Sequence, residues 1–348
     1  MPAGDSPEPT AEVETEPGLG TGKKASGASR VWTVLRYTVA LALLAYLFSS
    51  GSIQWAALSN LFSQWWVTTG ALAMLALVVV TTSWRFCILL RPRALDITLA
   101  ASIRLTMIGM FFNTVLPGAG GGDFVRFYYG ARGHEGRRTE ILTVMFFDRL
   151  AGLFAMISWP LIAAPFFLSM WIESRVLTGL LGAGLTAALG MIAVFLVAWS
   201  PLASPGGTLE SLVKKIPAGE SIWTIMETIA SYRDHKGTVL VAVGVSLLSH
   251  TLGIGAALVL AAVTVPDSFS WAMSVLIPLG FMANTVPLTP GGLGVGEAAF
   301  DSLFGLAGLD GGAEVLLGWR LLILVMGLAG LGVYLRGRHE FVQSGDSE

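Results

Sequence analysis

The sequence predicts an all-α polytopic membrane protein with six transmembrane helices and two re-entrant helical hairpins of opposite orientation. Of its 348 residues, 54% are hydrophobic and 13% are charged, whereas a soluble domain has about 25% charged residues. Long apolar windows alternate with short polar segments. Two Gly/Pro-rich breaks, which begin with Asn-Thr-Val at Asn113 and Asn284 and end on Asp123 and Glu297, interrupt otherwise apolar sequence.

The spans follow from windows of about 20 apolar residues, the length that crosses a bilayer as a helix. Residues 1–29 and 339–348 are polar tails; the first is rich in Pro, Gly, Ser and Glu and is predicted to be a disordered cytoplasmic segment. One transmembrane domain is assigned to residues 30–338. Pro160 and Pro165 are expected to kink the third of its six predicted spans, which are Val31–Phe48, Trp66–Leu90, Ile141–Leu168, Val176–Trp199, Thr238–Val263 and Val315–Leu335.

The two breaks are each predicted to lie inside a helical hairpin. The first hairpin comprises Ile97–Val115 and the segment from Phe124 onward; the second comprises Phe269–Val286 and Ala298–Leu309. Backbone without hydrogen bonds is tolerated at membrane depth only where it is buried in protein or lines a watery cavity. Two other interpretations stay open: each hairpin is two full spans, or one span with an unwound centre.

Basic residues set the orientation, because Lys and Arg favour short cytoplasmic loops. Arginines lie on both sides of the first hairpin, and Lys or Arg also occurs in the loop at 200–236 and near both termini. Segments 49–65, 264–270 and 305–313 contain neither. Both termini are therefore predicted to be cytoplasmic, the first hairpin to enter from inside and the second from outside.

This topology divides the domain into two like halves, at about 30–170 and 171–338. Each half contains two spans, a hairpin and a span, and the halves have opposite orientation. That arrangement is an inverted repeat, whose transport site is expected where the halves meet near the midplane. The alternative is that Asn-Thr-Val recurs by chance in a Gly-rich chain.

Ionisable groups inside a membrane are costly and therefore suggest function. Asp148 and Arg149 are adjacent on one helix, point about 100° apart, and either contact substrate or form internal ion pairs. Arg149 is expected to pair with Asp123 or Glu297. Arg320 and Arg85 lie near span ends, where snorkelling to the interface is the simpler interpretation. His250 is interpreted as an interhelical hydrogen-bonding residue rather than a proton relay.

The breaks themselves suit an anion. A half-helix that begins after a Gly-rich turn presents free N–H groups and a positive dipole end. Asp123 and Glu297 stand at such positions, where capping competes with a role in binding substrate. Arg126, one turn beyond Asp123, offers a charge-assisted contact. The full set of candidate substrate-binding residues is Asn113, Gly121, Gly122, Asp123, Arg126, Asp148, Arg149, Asn284, Gly291, Gly292, Glu297 and Arg320.

Catalytic, metal and cofactor motifs are not found. One cysteine and four scattered histidines provide no ligand-spaced set, and hydrolase and zincin motifs are absent from the sequence. We therefore expect neither an enzyme nor a cofactor or metal site, and no nucleic-acid partner.

Three motifs in order resemble the lysylphosphatidylglycerol synthase transmembrane (flippase-like) family. They are Asn113 with Leu116-Pro117-Gly118, Gly121-Gly122-Asp123 and Arg126; Asp148-Arg149-Leu150-Ala151-Gly152; and Pro290-Gly291-Gly292-Leu293-Gly294-Val295-Gly296-Glu297-Ala298-Ala299. The resemblance covers about residues 31–336. The family's pattern more often has Glu where this chain has Asp148. The sequence ends at Glu348, so we expect a stand-alone member without the aminoacyl-transferase domain.

The resemblance implies a multi-pass protein of the cell (cytoplasmic, inner) membrane that moves a phospholipid or a polyprenyl-linked glycolipid between leaflets. Two alternatives remain. One is an ion- or proton-coupled secondary transporter of a small anionic solute. The other is a non-transporting scaffold that partners a separate lipid-modifying enzyme.

Overall fold

The structure, a computed structural model, describes residues 63–115, 121–131, 134, 136–285 and 289–343, together with Thr38, Ser49, Ser59 and Leu61. These residues form an all-helical fold, without a strand among them. In chain order the helices are α1 Trp65–Leu90, α2 Leu99–Val115, α3 Gly121–Ala131, α4 Arg138–Ala163, α5 Leu168–Glu173, α6 Arg175–Ala198, α7 Thr208–Val213, α8 Gly219–Ala230, α9 Lys236–Thr264, α10 Met273–Asn284, α11 Val295–Gly305 and α12 Gly312–Gln343.

Five helical segments in the described ranges are long and apolar enough to cross a membrane. Each overlaps one of the predicted spans two to six, and the predicted first span, Val31–Phe48, lies outside the described residues apart from Thr38. The chain is therefore a multi-pass membrane protein. The five segments are Trp65–Arg93, Arg138–Glu173, Arg175–Ala198, Arg233–Thr264 and Gly312–Arg336.

The third predicted span departs from a single helix at its prolines. Pro160 lies inside α4, and Pro165 lies in a 3-10 turn, Ala164–Phe167, that separates α4 from α5. Proline lacks an amide hydrogen and cannot sustain the regular helical ladder. The chain accommodates one proline within α4 and changes helix type around the other.

The helices on either side of each break fold back on one another. α2 packs against α3, and α10 packs against α11; the Phe281 and Phe300 rings are 5.4 Å apart at their centres. With 12 and 11 residues, α10 and α11 are each about 17–18 Å long, which is shorter than the bilayer's hydrocarbon core of about 30 Å. Whether the pairs are re-entrant stays a prediction.

α9 is the central helix of the bundle and contacts α1, α4, α10 and α12. Ser249 on α9 donates a hydrogen bond to Thr81 Oγ1 on α1 at 2.7 Å. By contrast α6 leaves most of its apolar side chains exposed. A helix of that composition is stable at a surface only if its surroundings are apolar.

The segment between α6 and α9 forms two short helices, α7 and α8. α8 buries Trp223, Met226 and Ile229 and packs on α6, while Ile222 and Ile225 are exposed. The segment is therefore amphipathic, with one apolar face covered by the protein itself.

Candidate functional site

The first break is closed by an asparagine and a glycine. Asn113 Oδ1 accepts a hydrogen bond from the backbone N–H of Gly122 at 2.7 Å, which ties the end of α2 to the start of α3. A Cβ atom on Gly122 would lie 2.1 Å from the carbonyl oxygen of Gly109. Only glycine permits the two helices to approach this closely.

Two ion pairs connect α3 to α4 beside this break. Arg149 Nη2 pairs with Asp123 Oδ2, and Arg126 Nη1 lies 3.7 Å from Asp148 Oδ2. Asp123 and Arg126 are three residues apart and therefore share one face of α3. The adjacent residues Asp148 and Arg149 point to different partners, as their angular separation on α4 predicted.

Asp148 is buried and has a second partner, Arg85 on α1. Arg85 Nε donates to Asp148 Oδ1 at 2.7 Å, and Arg85 Nη1 donates to Ser246 Oγ on α9 at 2.8 Å. The expectation that Arg85 snorkels is wrong, because its guanidinium is buried in this network. Asp148 thus bridges two arginines and joins α1, α3 and α4.

Arg126 is the least satisfied cation of this group. Its side chain is 10% exposed, and its buried Nε and Nη2 atoms have no hydrogen-bond partner in the described part of the chain. The guanidinium lies 4.9 Å from the centre of the Phe86 ring, and the absence of a side chain at Gly109 makes room for it. Three arginines face two carboxylates here, so one positive charge is in excess.

The second break is held together by Glu297 and Arg320. Glu297 is fully buried and accepts a hydrogen bond from the N–H of Gly294 at 2.8 Å. Gly294 is the N-cap of α11, and Glu297 caps the helix from its third position. Arg320 Nε donates to Glu297 Oε1 at 2.6 Å. The expectation that Arg320 snorkels outward is wrong, because its guanidinium points into the break.

The two breaks use the same residue types in the same order. Asn113, Gly122, Asp123 and Arg149 in the first correspond to Asn284, Gly296, Glu297 and Arg320 in the second, and in each case the arginine lies 36 positions after the asparagine. A Cβ on Gly296 would lie 2.2 Å from Asn284 Oδ1, much as one on Gly122 would crowd Asn113. Whether the two halves are related as an inverted repeat stays a prediction.

The comparison with family models adds an independent finding to this geometry. The model of the lysylphosphatidylglycerol synthase TM region matches residues 33–330. The chain belongs to this family. The resemblance found from the three motifs is thus confirmed. No curated protein and no solved structure matches the chain.

The three other glycines predicted to bind substrate in this family member also lie at the two breaks. Gly121 is the first residue of α3. Gly291 and Gly292 have φ values of +63° and +68°, a region that glycine adopts without strain, and their carbonyl oxygens accept hydrogen bonds from Arg320. His250 lies outside both breaks, with Nε2 3.0 Å from the carbonyl oxygen of Gly152 on the neighbouring helix.

Sequence reasoning missed two members of the network, Arg85 and Ser246. The available signal for Arg85 was its position five residues before the end of a long apolar span, where a charge needs a partner. Ser246 had no distinguishing signal. In the described ranges, no group of three His, Cys, Asp or Glu side chains is placed to hold a metal ion.

Proposed function

We propose that this protein is a flippase-like translocase that moves a lipid or lipid-linked glycan with an anionic head group between the leaflets of the cell membrane. The observation that carries the proposal is the excess positive charge beside the first break, where the buried Nε and Nη2 of Arg126 have no hydrogen-bond partner among the described residues. The match to the family's transmembrane region supports a lipid as the transported molecule.

The chemistry of the first break suits a phosphate group. A buried guanidinium without a hydrogen-bonding partner is costly in an apolar region, and guanidinium binds phosphate oxygens with good geometry. Arg149 has a side chain that is 60% exposed, so a head group can reach it from the surface. A phosphate held between Arg126 and Arg149 would satisfy the donors of the first and compete with Asp123 for the second.

The proposed path runs along the two hairpins, which enter the membrane from opposite sides. The two helices of the second hairpin, which are too short to cross the bilayer, support this topology. The loop charges, which orient both termini to the cytoplasm, support it as well. The head group follows the polar breaks while its acyl or prenyl tails stay in the bilayer. The protein works in this proposal without a resident cofactor or catalytic step.

Translocation is tested in proteoliposomes that contain a head-group-labelled anionic phospholipid, with leaflet sidedness followed by chemical quenching. Replacing Arg126 and Arg149 together by Ala is expected to slow translocation by about tenfold or more, because two charge-assisted contacts are lost. Arg138→Ala is the matched control, since Arg138 is an exposed arginine at the start of the same helix as Arg149. Equal rates for the double variant and the control contradict the site assignment.

The same vesicles separate the alternatives. Uptake of a radiolabelled small anion without lipid translocation would identify a secondary transporter. Absence of both activities from correctly folded protein would favour a scaffold that partners a lipid-modifying enzyme.

A further inference from the structure

Arg320 contacts the second break with all three guanidinium nitrogens. Besides Glu297, Nη1 donates to the carbonyl oxygen of Gly291 at 2.7 Å. Nη2 donates to the carbonyl oxygen of Gly292 at 3.0 Å and to Asn284 Oδ1 at 3.1 Å. One side chain from α12 therefore joins the end of α10, the turn and the start of α11.

Its counterpart at the first break makes far less contact. Among the described residues Arg149 pairs with Asp123, and the two side chains are 60% and 25% exposed. Arg320 and Glu297 are 22% and 0% exposed. The two breaks share a residue pattern but differ in how firmly it is held.

The difference bears on which break an anion can enter. At the first break, a phosphate competes with a single, partly exposed carboxylate for Arg149. At the second, it would have to displace a buried carboxylate together with two backbone carbonyl oxygens, whose hydrogen bonds would then be lost. The position of Gly296 leaves little room, because a single Cβ there would lie 3.0 Å from Arg320 Nη2.

We infer that Arg320 is a positioning residue that holds the second break in one closed conformation, and that the Arg149–Asp123 pair at the first break is the one that opens to ligand. The second part rests on the proposed function; the first does not. Lysine has one charged nitrogen and cannot reproduce the three-way contact of Arg320. It can reproduce the single ion pair of Arg149.

The experiment uses the single cysteine of the chain, Cys87. In a Cys87→Ala background, Phe124→Cys reports on the first break and Leu293→Cys on the second; Phe124 is exposed and Leu293 half-buried. Thiol reactivity is measured on full-length protein in detergent, with added phosphatidylglycerol or phosphatidylcholine. Phosphatidylglycerol is expected to change the reactivity of Phe124→Cys by about fivefold or more and that of Leu293→Cys not at all.

Substitution at Arg320 then tests its positioning role. Arg320→Lys is expected to raise the reactivity of Leu293→Cys by about fivefold or more and to lower the maximal translocation rate. Arg138→Lys, at an exposed arginine of α4 outside both breaks, is expected to leave both nearly unchanged. Arg149→Ala instead raises the lipid concentration needed for half-maximal rate. If Arg320 variants do not fold, as judged by gel filtration, the lipid dependence of the two cysteine positions in the parent protein still tests the inference.

Two results would overturn the inference: equal lipid-induced changes at both cysteine positions, or full rescue of the second break by Arg320→Lys. If wild-type protein moves no lipid but Arg320→Lys still loosens the second break, the proposed function fails and the positioning role stands.

Discussion

Several ionisable side chains within the apolar helices of this protein pair with one another. Asp148 and Arg149 were predicted from their helical positions to need different partners. In the structure Asp148 pairs with Arg85 and Arg126, and Arg149 pairs with Asp123. Arg85 and Arg320 were mispredicted because the sequence shows how far a residue lies from a span end but not which neighbours face it. Side-chain direction becomes known only when the helices are packed.

Removing the carboxylate of Asp148 is predicted to destabilise the protein strongly. Asp148→Asn leaves Arg85 and Arg126 buried together without a counter-charge, and the loss of one partner of a buried ion pair costs about 3–5 kcal/mol. Asp123→Asn is the matched control, because it removes a carboxylate from an exposed pair and is expected to cost at most about 1 kcal/mol. Thermal unfolding in detergent, followed by intrinsic tryptophan fluorescence, measures both; equal melting temperatures would contradict the assignment.

At the scale of helices, the existence of five spans and of two helix pairs was predictable, but their boundaries were less so. The prediction began the second half of the first hairpin at Phe124, whereas α3 already begins at Gly121. Glycine is a poor helix former, so local propensity favours a later start. Close packing against Gly109 and Asn113 on α2 overrides that propensity.

Close packing also joins α2 to the last span through Gly330. A Cβ on Gly330 would lie 2.1 Å from the carbonyl oxygen of Met107, so Gly330→Ala forces α2 and α12 apart. We expect it to lower the free energy of unfolding by about 1–3 kcal/mol. Gly332→Ala, on the same helix with no atom within 4 Å of the new Cβ, is expected to be neutral or stabilising by up to about 1 kcal/mol. Chemical denaturation in mild detergent compares the two, and a smaller loss for Gly330→Ala than for Gly332→Ala would refute this contact.

For the whole molecule, composition alone predicted a multi-pass helical protein, because a chain this apolar is not stable in water as a single soluble domain. Orientation came from a different signal, the Lys and Arg of the loops, which depends on the membrane and not on packing. At the breaks, the Arg149–Asp123 pair was among the expected contacts, whereas the hydrogen bonds of Arg320 to backbone carbonyls depend on how the last span packs and could not be predicted from the sequence. The orientation of the two halves stays a prediction.

The orientation of α9 in the membrane can be measured with cysteines in the segments that precede and follow this helix. Single cysteines at Ser204 and Asp267, both exposed, are introduced in the Cys87→Ala background. With a membrane-impermeant maleimide on intact cells, Asp267→Cys is expected to react at once and Ser204→Cys only after permeabilisation. The reverse pattern would invert the predicted topology, and reaction of both in intact cells would exclude α9 as a span.

The contact between α2 and α12 also has a consequence for the order of synthesis. α2 is translated early, yet the helix it packs against begins about 200 residues later, at Gly312. Contacts at such separation form late, because long chain loops must close first. If α2 and α3 insert as the predicted hairpin, they would do so before α12 exists. The polar break between them would then need shielding, by the insertion machinery or by lipid head groups, until translation ends.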